Sequence, residues 1–245
     1  MKKFLILQLR PEDVASDNEF EAFLKLGKLK ESEVHRVRIE KNGIPNDINL
    51  DDYSGVIVGG GPSNVSDEQE KKSDEQKKFE DDLDTLLNEV VQKDIPFLGA
   101  CYGVGILSRH QGACVSKEKY GEEVGAVTVK ITDEGKKDDL LKDLADEFRA
   151  FVGHKEACQG VPDSGVLLAS SDTCPVQMYR VKNNIYATQF HPELDVDGII
   201  TRVSVYKNAG YFPPEDAERI IDEAKQENIT VPEQILQKFV QKYQK

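Results

Sequence analysis

A cysteine framed by glycines is the first place where this chain can do covalent chemistry. Cys101 sits in Ile95-Pro96-Phe97-Leu98-Gly99-Ala100-Cys101-Tyr102-Gly103-Val104-Gly105. The apolar run reads as a buried strand and the residues after it can turn helical. Glycines two before and two after the cysteine suit a strand-to-helix elbow too tight for side chains. The thiol at its tip faces a helix N-terminus, whose partial positive charge favours thiolate. A nucleophilic thiol also needs a base, and the base needs an orienting carboxylate. Of four histidines, His191 lies in Gln189-Phe190-His191-Pro192-Glu193, directly after an apolar run. In extended backbone, positions i and i+2 point the same way, so Glu193 can meet the imidazole. Gly59-Gly60-Gly61-Pro62 follows another apolar run. It offers uncrowded backbone N–H groups for an oxyanion, with the Tyr102 N–H as partner.

Alternating elements must hold these residues. In the first half, apolar runs at 4–9, 34–39, 55–58 and 96–98 predict strands. Helices are predicted at 19–29 and from Ser73, which forms a capping box with Gln76 and precedes the stripe Phe79, Leu83, Leu86, Leu87, Val90 and Val91. The rhythm then changes to successive strands at 124–131, 166–170, 176–181 and 185–190, with Asn183-Asn184 as a hairpin turn. From about Asp197 the pattern is helical: one helix ending near Gly210, one from Pro213-Pro214 to Lys225, and one from Pro232 to Tyr243. The expected fold is α/β, a mixed and mostly parallel sheet flanked by helices, with an antiparallel second part and a helical C-terminal extension. The domains divide as 1–196 and 197–245. Tyr206-Lys207-Asn208-Ala209-Gly210-Tyr211-Phe212 reads as packing of the extension onto the domain in preference to an oligomer surface. The charged stretch 67–84 reads as a solvated helix face with its preceding loop.

Composition narrows the function classes. The 245 residues are 38% hydrophobic, enough for a sizeable core, and carry a net charge of −13. That charge weighs against nucleic acid and anionic membranes, since no basic patch offsets it; Lys238, Lys242 and Lys245 are too few. No run approaches a membrane span, and the short apolar N-terminus reads as a strand in preference to a signal peptide. Cys101, Cys114, Cys158 and Cys174 contain no Cys-x-x-Cys spacing, so no metal or other cofactor is expected. Reduced thiols in the cytoplasm are the expected state, with the last three cysteines as small buried hydrophobes. His35 reads as an edge or surface histidine and His110 as a helix-closing one. Gly59-Gly60-Gly61 lacks the Lys-Ser or Lys-Thr of a phosphate loop.

The Gly99-Ala100-Cys101-Tyr102-Gly103 elbow, the Gly59-Gly60-Gly61-Pro62 loop and Gln189-Phe190-His191-Pro192-Glu193, in this order, resemble class I (triad) glutamine amidotransferases. The likeness spans roughly residues 1–205 and includes the amidotransferase domains of GMP synthetase. It implies a flavodoxin-like fold and hydrolysis of glutamine to glutamate and ammonia through a γ-glutamyl thioester. Carried over, Cys101 is the nucleophile, His191 the general base and acid, and Glu193 its orienting group. Gly60 and Tyr102 supply the oxyanion hole, and Gly61, Gly105 and His154 lie at the substrate. His154 stands in Phe151-Val152-Gly153-His154-Lys155-Glu156, similar to the family's loop at the substrate's α-amino and carboxylate end; a plain surface histidine is the alternative. Tyr120-Gly121-Glu122 resembles a structural stretch near the pocket. One position departs. Four residues after the nucleophile the family usually has a substrate-binding glutamine, and here stands Gly105. Losing one such contact costs about 1–3 kcal/mol of binding, so another group compensates or free glutamine is not the substrate. No synthetase motif follows the domain, which places any ammonia acceptor on a separate polypeptide. Three readings therefore compete: a glutaminase feeding a GMP synthetase-type partner, a stand-alone γ-glutamyl hydrolase acting on a conjugate such as a γ-glutamyl amine, and a non-catalytic regulatory subunit. Nothing suggests an extended peptide groove, so a cysteine peptidase is disfavoured.

Overall fold

The protein is described by a computed structural model covering residues 2–245. In chain order the strands are β1 (Lys3–Gln8), β2 (Val34–Arg38), β3 (Tyr53–Val58), β4 (Phe97–Ala100), β5 (Val115–Ser116), β6 (Glu122–Ile131), β7 (Glu147–His154), β8 (Ala157–Cys158), β9 (Gly165–Ser171), β10 (Met178–Val181) and β11 (Ile185–Thr188). Nine of them form one sheet in the order β2-β1-β3-β4-β11-β10-β9-β6-β7, while β5 and β8 pair separately. From β2 across to β11 the neighbours run parallel. From β11 outward to β7 they run antiparallel. Cys101 follows β4, and His191 lies three residues beyond the neighbouring β11, so the two chemical residues leave the sheet from adjacent parallel strands.

Strand β1 shows how the sequence builds two cores at once. Phe4 and Ile6 face one side and Leu5 and Leu7 the other, all fully buried, as expected for a parallel strand covered on both faces. Helices α1 (Asp13–Gly27) and α2 (Ile39–Asn42) precede α3 (Asp74–Lys93) and α4 (Tyr102–His110), followed by α5 (Val196–Val205), α6 (Ala217–Lys225) and α7 (Val231–Tyr243). Phe23 of α1 and Phe239 of α7 join the Phe4 side, and Phe79 and Leu87 of α3 with Tyr102 of α4 join the Leu5 side. A third cluster gathers Phe151, Leu194, Ile199, Val203 and Ile220 beneath α5 and α6. Among the described residues no helix is long and apolar enough to cross a membrane.

Several boundaries differ from expectation for local reasons. Helix α1 starts at Asp13, six residues earlier than predicted, its acidic first turn suiting the N-terminus. Ser73 caps α3 by accepting from the Gln76 N–H at 3.1 Å, but the Gln76 side chain donates to Asn64 O and Glu80, so the box is half made. Residues 151–154, expected in a loop, belong to β7, an edge strand that sends Phe148, Ala150, Phe151 and Val152 into the core. Asn183 and Asn184 do lie in the β10–β11 turn, with Lys182 in the left-handed region at φ 51°. His35 sits on edge strand β2, its Nδ1 2.6 Å from the Tyr53 hydroxyl, and His110 ends α4. Cys158 and Cys174 are buried, but Cys114 is exposed, contrary to the reading of all three as core residues; all four thiols are free.

Candidate active site

The elbow at Cys101 is strained. Cys101 adopts φ 52° and ψ −94°, a region that L-residues rarely occupy. Its backbone N–H donates to Thr188 O at 2.8 Å, tying the turn to β11. Close packing accounts for the glycine before it: a Cβ on Gly99 would lie 2.7 Å from Gly103 O. Burial pushes the thiol up to about 12, against which the charges of Arg10 and Arg202 act only partly, and Glu193 and Glu156 add to the rise.

His191 and Glu193 come together through a turn. His191 Nδ1 lies 2.8 Å from Glu193 Oε1, both side chains buried. The pairing was expected from an extended stretch, but the backbone reverses here, with the Leu194 N–H returning to His191 O at 3.4 Å. His191 is also pinned to β7, its N–H donating to Phe151 O at 3.1 Å. Burial lowers the imidazole pKa below its usual value, and Arg202 and Arg10 add to this against the opposing pull of Glu193. Burial works to raise the Glu193 carboxyl, but His191 and Arg202 outweigh it and hold the group ionised well below the usual carboxylate range.

Behind this pair runs a buried chain of alternating charges. Arg202 of α5 donates from Nη2 to Glu193 Oε1 at 2.8 Å and stands 3.6 Å from Glu19 of α1. Glu19 accepts from Arg10 Nε at 2.8 Å and from Gln8 Nε2 at 2.9 Å. Arg10 Nη1 reaches the Tyr206 hydroxyl at 3.4 Å, which donates to Glu12 at 2.8 Å. Pairing makes such burial tolerable; removing one member would strand its partner at a cost of about 3–5 kcal/mol. None of Arg10, Glu19, Arg202 or Tyr206 was singled out from the sequence. Only the placement of Arg10 immediately beyond a buried strand carried a signal.

Gly60 lies where the two reactive side chains converge. A Cβ there would stand 2.7 Å from His191 Cε1, 2.8 Å from Arg10 Nη2 and 3.5 Å from Cys101 Cβ. His191 Cε1 and Cys101 Cβ are thus separated by no more than the sum of the outer two lengths, and nothing larger than glycine fits between them. Tyr102 begins α4 beside the thiol, its phenol donating to Glu80 Oε1 at 2.9 Å. Two clefts meet at Cys101, sharing Gly61, Gly153 and Tyr211. One, about 20 Å³, is polar, with Ser63, Asn64, Tyr102, Gly105, His154, Glu156 and Gln189 on its walls. The other, about 40 Å³, holds His191, Arg10 and Arg202 against apolar side chains.

The structure moves His154 away from the surface alternative. It is buried at the end of β7, with Nε2 2.8 Å from Glu122 and Nδ1 2.8 Å from Glu156 O, so both ring nitrogens are engaged. Glu122 also receives Gln177 at 2.7 Å and Thr173, giving the Tyr120-Gly121-Glu122 stretch its bracing role beside the cleft. At Gly105 the space of a side chain is crowded by Val65, whose Cγ2 would lie 3.2 Å from an added Cβ, and by Glu156. A Cβ there would lie 3.3 Å from Glu156 Oε1, whose carboxylate accepts the Val65 and Ser66 N–H groups at 2.8 Å each. Glu156 was not named as a site residue from the sequence. Nor were Tyr206 and Tyr211, which the preferred reading of the tail as plain packing left out; Tyr211 touches both clefts, its hydroxyl donating to Pro62 O at 3.2 Å.

Comparison with known proteins gives one consistent family. The family model described as "Glutamine amidotransferase class-I" matches residues 15–197. A glutamine-hydrolyzing GMP synthase subunit from Thermoplasma volcanium is 32% identical over 161 residues, covering 64% of this chain and 72% of that protein. The corresponding protein of Thermoplasma acidophilum is 33% identical over 156 residues, covering 62% and 70%. A solved glutamine amidotransferase from Thermotoga maritima superposes with a TM-score of 0.79 over 99% of this chain and 98% of its own, at 20% identity, which is a likeness of fold.

Proposed function

Because the chain belongs to the class-I glutamine amidotransferase family, we propose that it hydrolyses the γ-amide of glutamine to glutamate and ammonia through a thioester on Cys101. The observation that carries this reading is a buried, carboxylate-paired imidazole converging over Gly60 with a cysteine held at φ 52°. His191, neutral at rest, takes the thiol proton as sulfur attacks the γ-carbonyl. This delivers thiolate only when substrate is present, consistent with a thiol that is protonated in the free site. Backbone N–H groups of Gly60 and Tyr102 face the developing oxyanion. The imidazolium, oriented and stabilised by Glu193, then protonates the departing nitrogen, and water enters by the same base to release glutamate. The polar cleft takes the amino-acid head, with Gly61 and Gly105 at its wall and His154 bracing it. Glu156 offers an acidic group beside Gly105.

The domain of residues 1–196 supplies the triad, and the extension from 197 to 245 adds Arg202, Tyr206 and Tyr211 around it. The relatives named as GMP synthase subunits support an ammonia acceptor on a separate polypeptide of the GMP synthetase type. A second reading, hydrolysis of a substituted γ-glutamyl amide, is favoured by the cleft on the His191 side. The test is glutamate and ammonia release by the purified chain. Equimolar products are expected, falling at least about a thousandfold in Cys101→Ala. Undiminished release by Cys101→Ala would remove the thioester mechanism.

A further inference from the structure

One oxygen serves two partners beside the reactive imidazole. Glu193 Oε1 lies 2.8 Å from His191 Nδ1 and 2.8 Å from Arg202 Nη2, while Oε2 of the same buried carboxylate has no partner among the described residues. Arg202 therefore draws on a charge that would otherwise serve the imidazole alone. It comes from α5, outside the residues 15–197 that match the family. The buried charges here balance. Glu193 and Glu19 are negative and Arg202 and Arg10 positive, with Arg10 2.8 Å and Arg202 3.6 Å from Glu19. This set is neutral before His191 takes a proton, so an imidazolium formed in turnover meets a carboxylate already offset. The other titratable groups around the ring are the Cys101 thiol and the phenols of Tyr206, bonded to Glu12, and Tyr211. Strand β7 meets His191 through the Phe151 carbonyl.

We propose that Arg202 is a positioning residue for this reaction: by sharing Glu193 Oε1 it fixes the carboxylate and weakens its hold on the imidazolium, so the proton passes more readily to the leaving nitrogen. This rests on the thioester reading above. With Nδ1 engaged by Glu193, the other ring nitrogen, Nε2, takes the thiol proton as sulfur bonds to the γ-carbonyl carbon. The C–N bond of the tetrahedral adduct then breaks as that proton moves to nitrogen, a step that a tightly held proton slows. A second gain is that the imidazole stays unprotonated, and able to act as base, at lower pH. The lowered His191 pKa, with burial its main cause and Arg202 acting in the same direction, agrees with this geometry.

The test follows the acid limb of kcat/KM for glutamine in the full chain. Beside it, NMR of the His191 Cε1–H in a Cys101→Ala background titrates the imidazole without turnover, the signal being assigned by its loss in His191→Gln. Arg202→Gln keeps a donor and loses the charge, and both readings are expected to move to higher pH by at least about half a unit. Arg202→Lys keeps the charge and is expected to leave both nearer their original positions. A smaller or downward move in Arg202→Gln overturns the proposal, and so does a move in Arg202→Lys as large as in Arg202→Gln. A residue that only held α5 in place would lower the rate at every pH and leave both positions fixed. Each reading is a position on the pH axis, so it does not depend on the fraction folded. If Arg202→Gln fails to fold, Glu19→Gln decides. Loss of the carboxylate that offsets Arg202 is expected to move both readings to lower pH, and no move or an upward one overturns the proposal. Glutamine left uncleaved by the unsubstituted chain removes the thioester reading, while the NMR arm still decides whether Arg202 sets the imidazole.

Discussion

At the scale of single residues, the site rests on a buried thiol beside a buried imidazole. Burial raises the Cys101 thiol to about 12 and lowers the His191 imidazole, so at neutral pH both are uncharged. The sign follows directly. Below about 12 the thiol keeps its proton, so a simple alkylating agent should react slowly at pH 7 and faster with each rise in pH, without a plateau before about pH 10. Turnover should instead rise through the lowered histidine pKa, below its usual 6.5, and stay level above it. Iodoacetamide kinetics on the Cys101 peptide, set beside the pH profile of kcat/KM, check both limbs. Fast alkylation at about pH 6 would show a resting thiolate–imidazolium pair instead. Cys101, His191 and Glu193 were legible because each sits in a short local signature. Arg10, Glu19 and Arg202 were not, because they act as a chain only after α1 and α5 fold beside the end of β1. No local pattern marks a charge whose partner is distant.

At the scale of elements, strand ends aim the chemistry. The parallel register Ala187↔Gly99 and Thr188↔Ala100 sets the end of β4 beside the end of β11, which is why residues 101 and 191 approach. The elbow depends on close backbone approach at Gly99, where an added methyl would lie 2.7 Å from Gly103 O and 2.9 Å from Phe97 Cε1. Gly99→Ala is expected to cost about 1–3 kcal/mol in urea unfolding, with loss of activity beyond the unfolded fraction, as the strained turn relaxes. Unchanged stability would show that the turn has room. The glycines made this elbow readable in advance. Strand β7 was missed although Phe148, Ala150 and Val152 alternate, because its other face mixes Glu147, Arg149 and Gly153 with the buried Phe151 and so breaks the apolar–polar pattern. The end of that strand was read as a loop, and with it the burial of His154 was missed.

At the scale of the whole molecule, helices that follow the family-matched region are part of the core. Phe239 of α7 is fully buried, with its ring 6.2 Å from Phe4 of β1 and 4.9 Å from Tyr243. Phe239→Ala should therefore cost about 3–5 kcal/mol, read as a shift in the urea midpoint. A loss under about 1 kcal/mol would mean that α7 is dispensable. The helical pattern of the tail was legible from its prolines and apolar spacing, but its role was not, since burial against β1 and the placement of Tyr211 beside Cys101 exist only in three dimensions. The central claim is covalent: residues far apart in the chain converge to make Cys101 carry the γ-glutamyl group. Rapid acid quenching of the protein with substrate, followed by peptide mass spectrometry, tests it most directly. A γ-glutamyl adduct on the Cys101 peptide that forms and decays at least as fast as glutamate appears is the predicted result. Glutamate produced at full rate with Cys101 never modified would contradict the account.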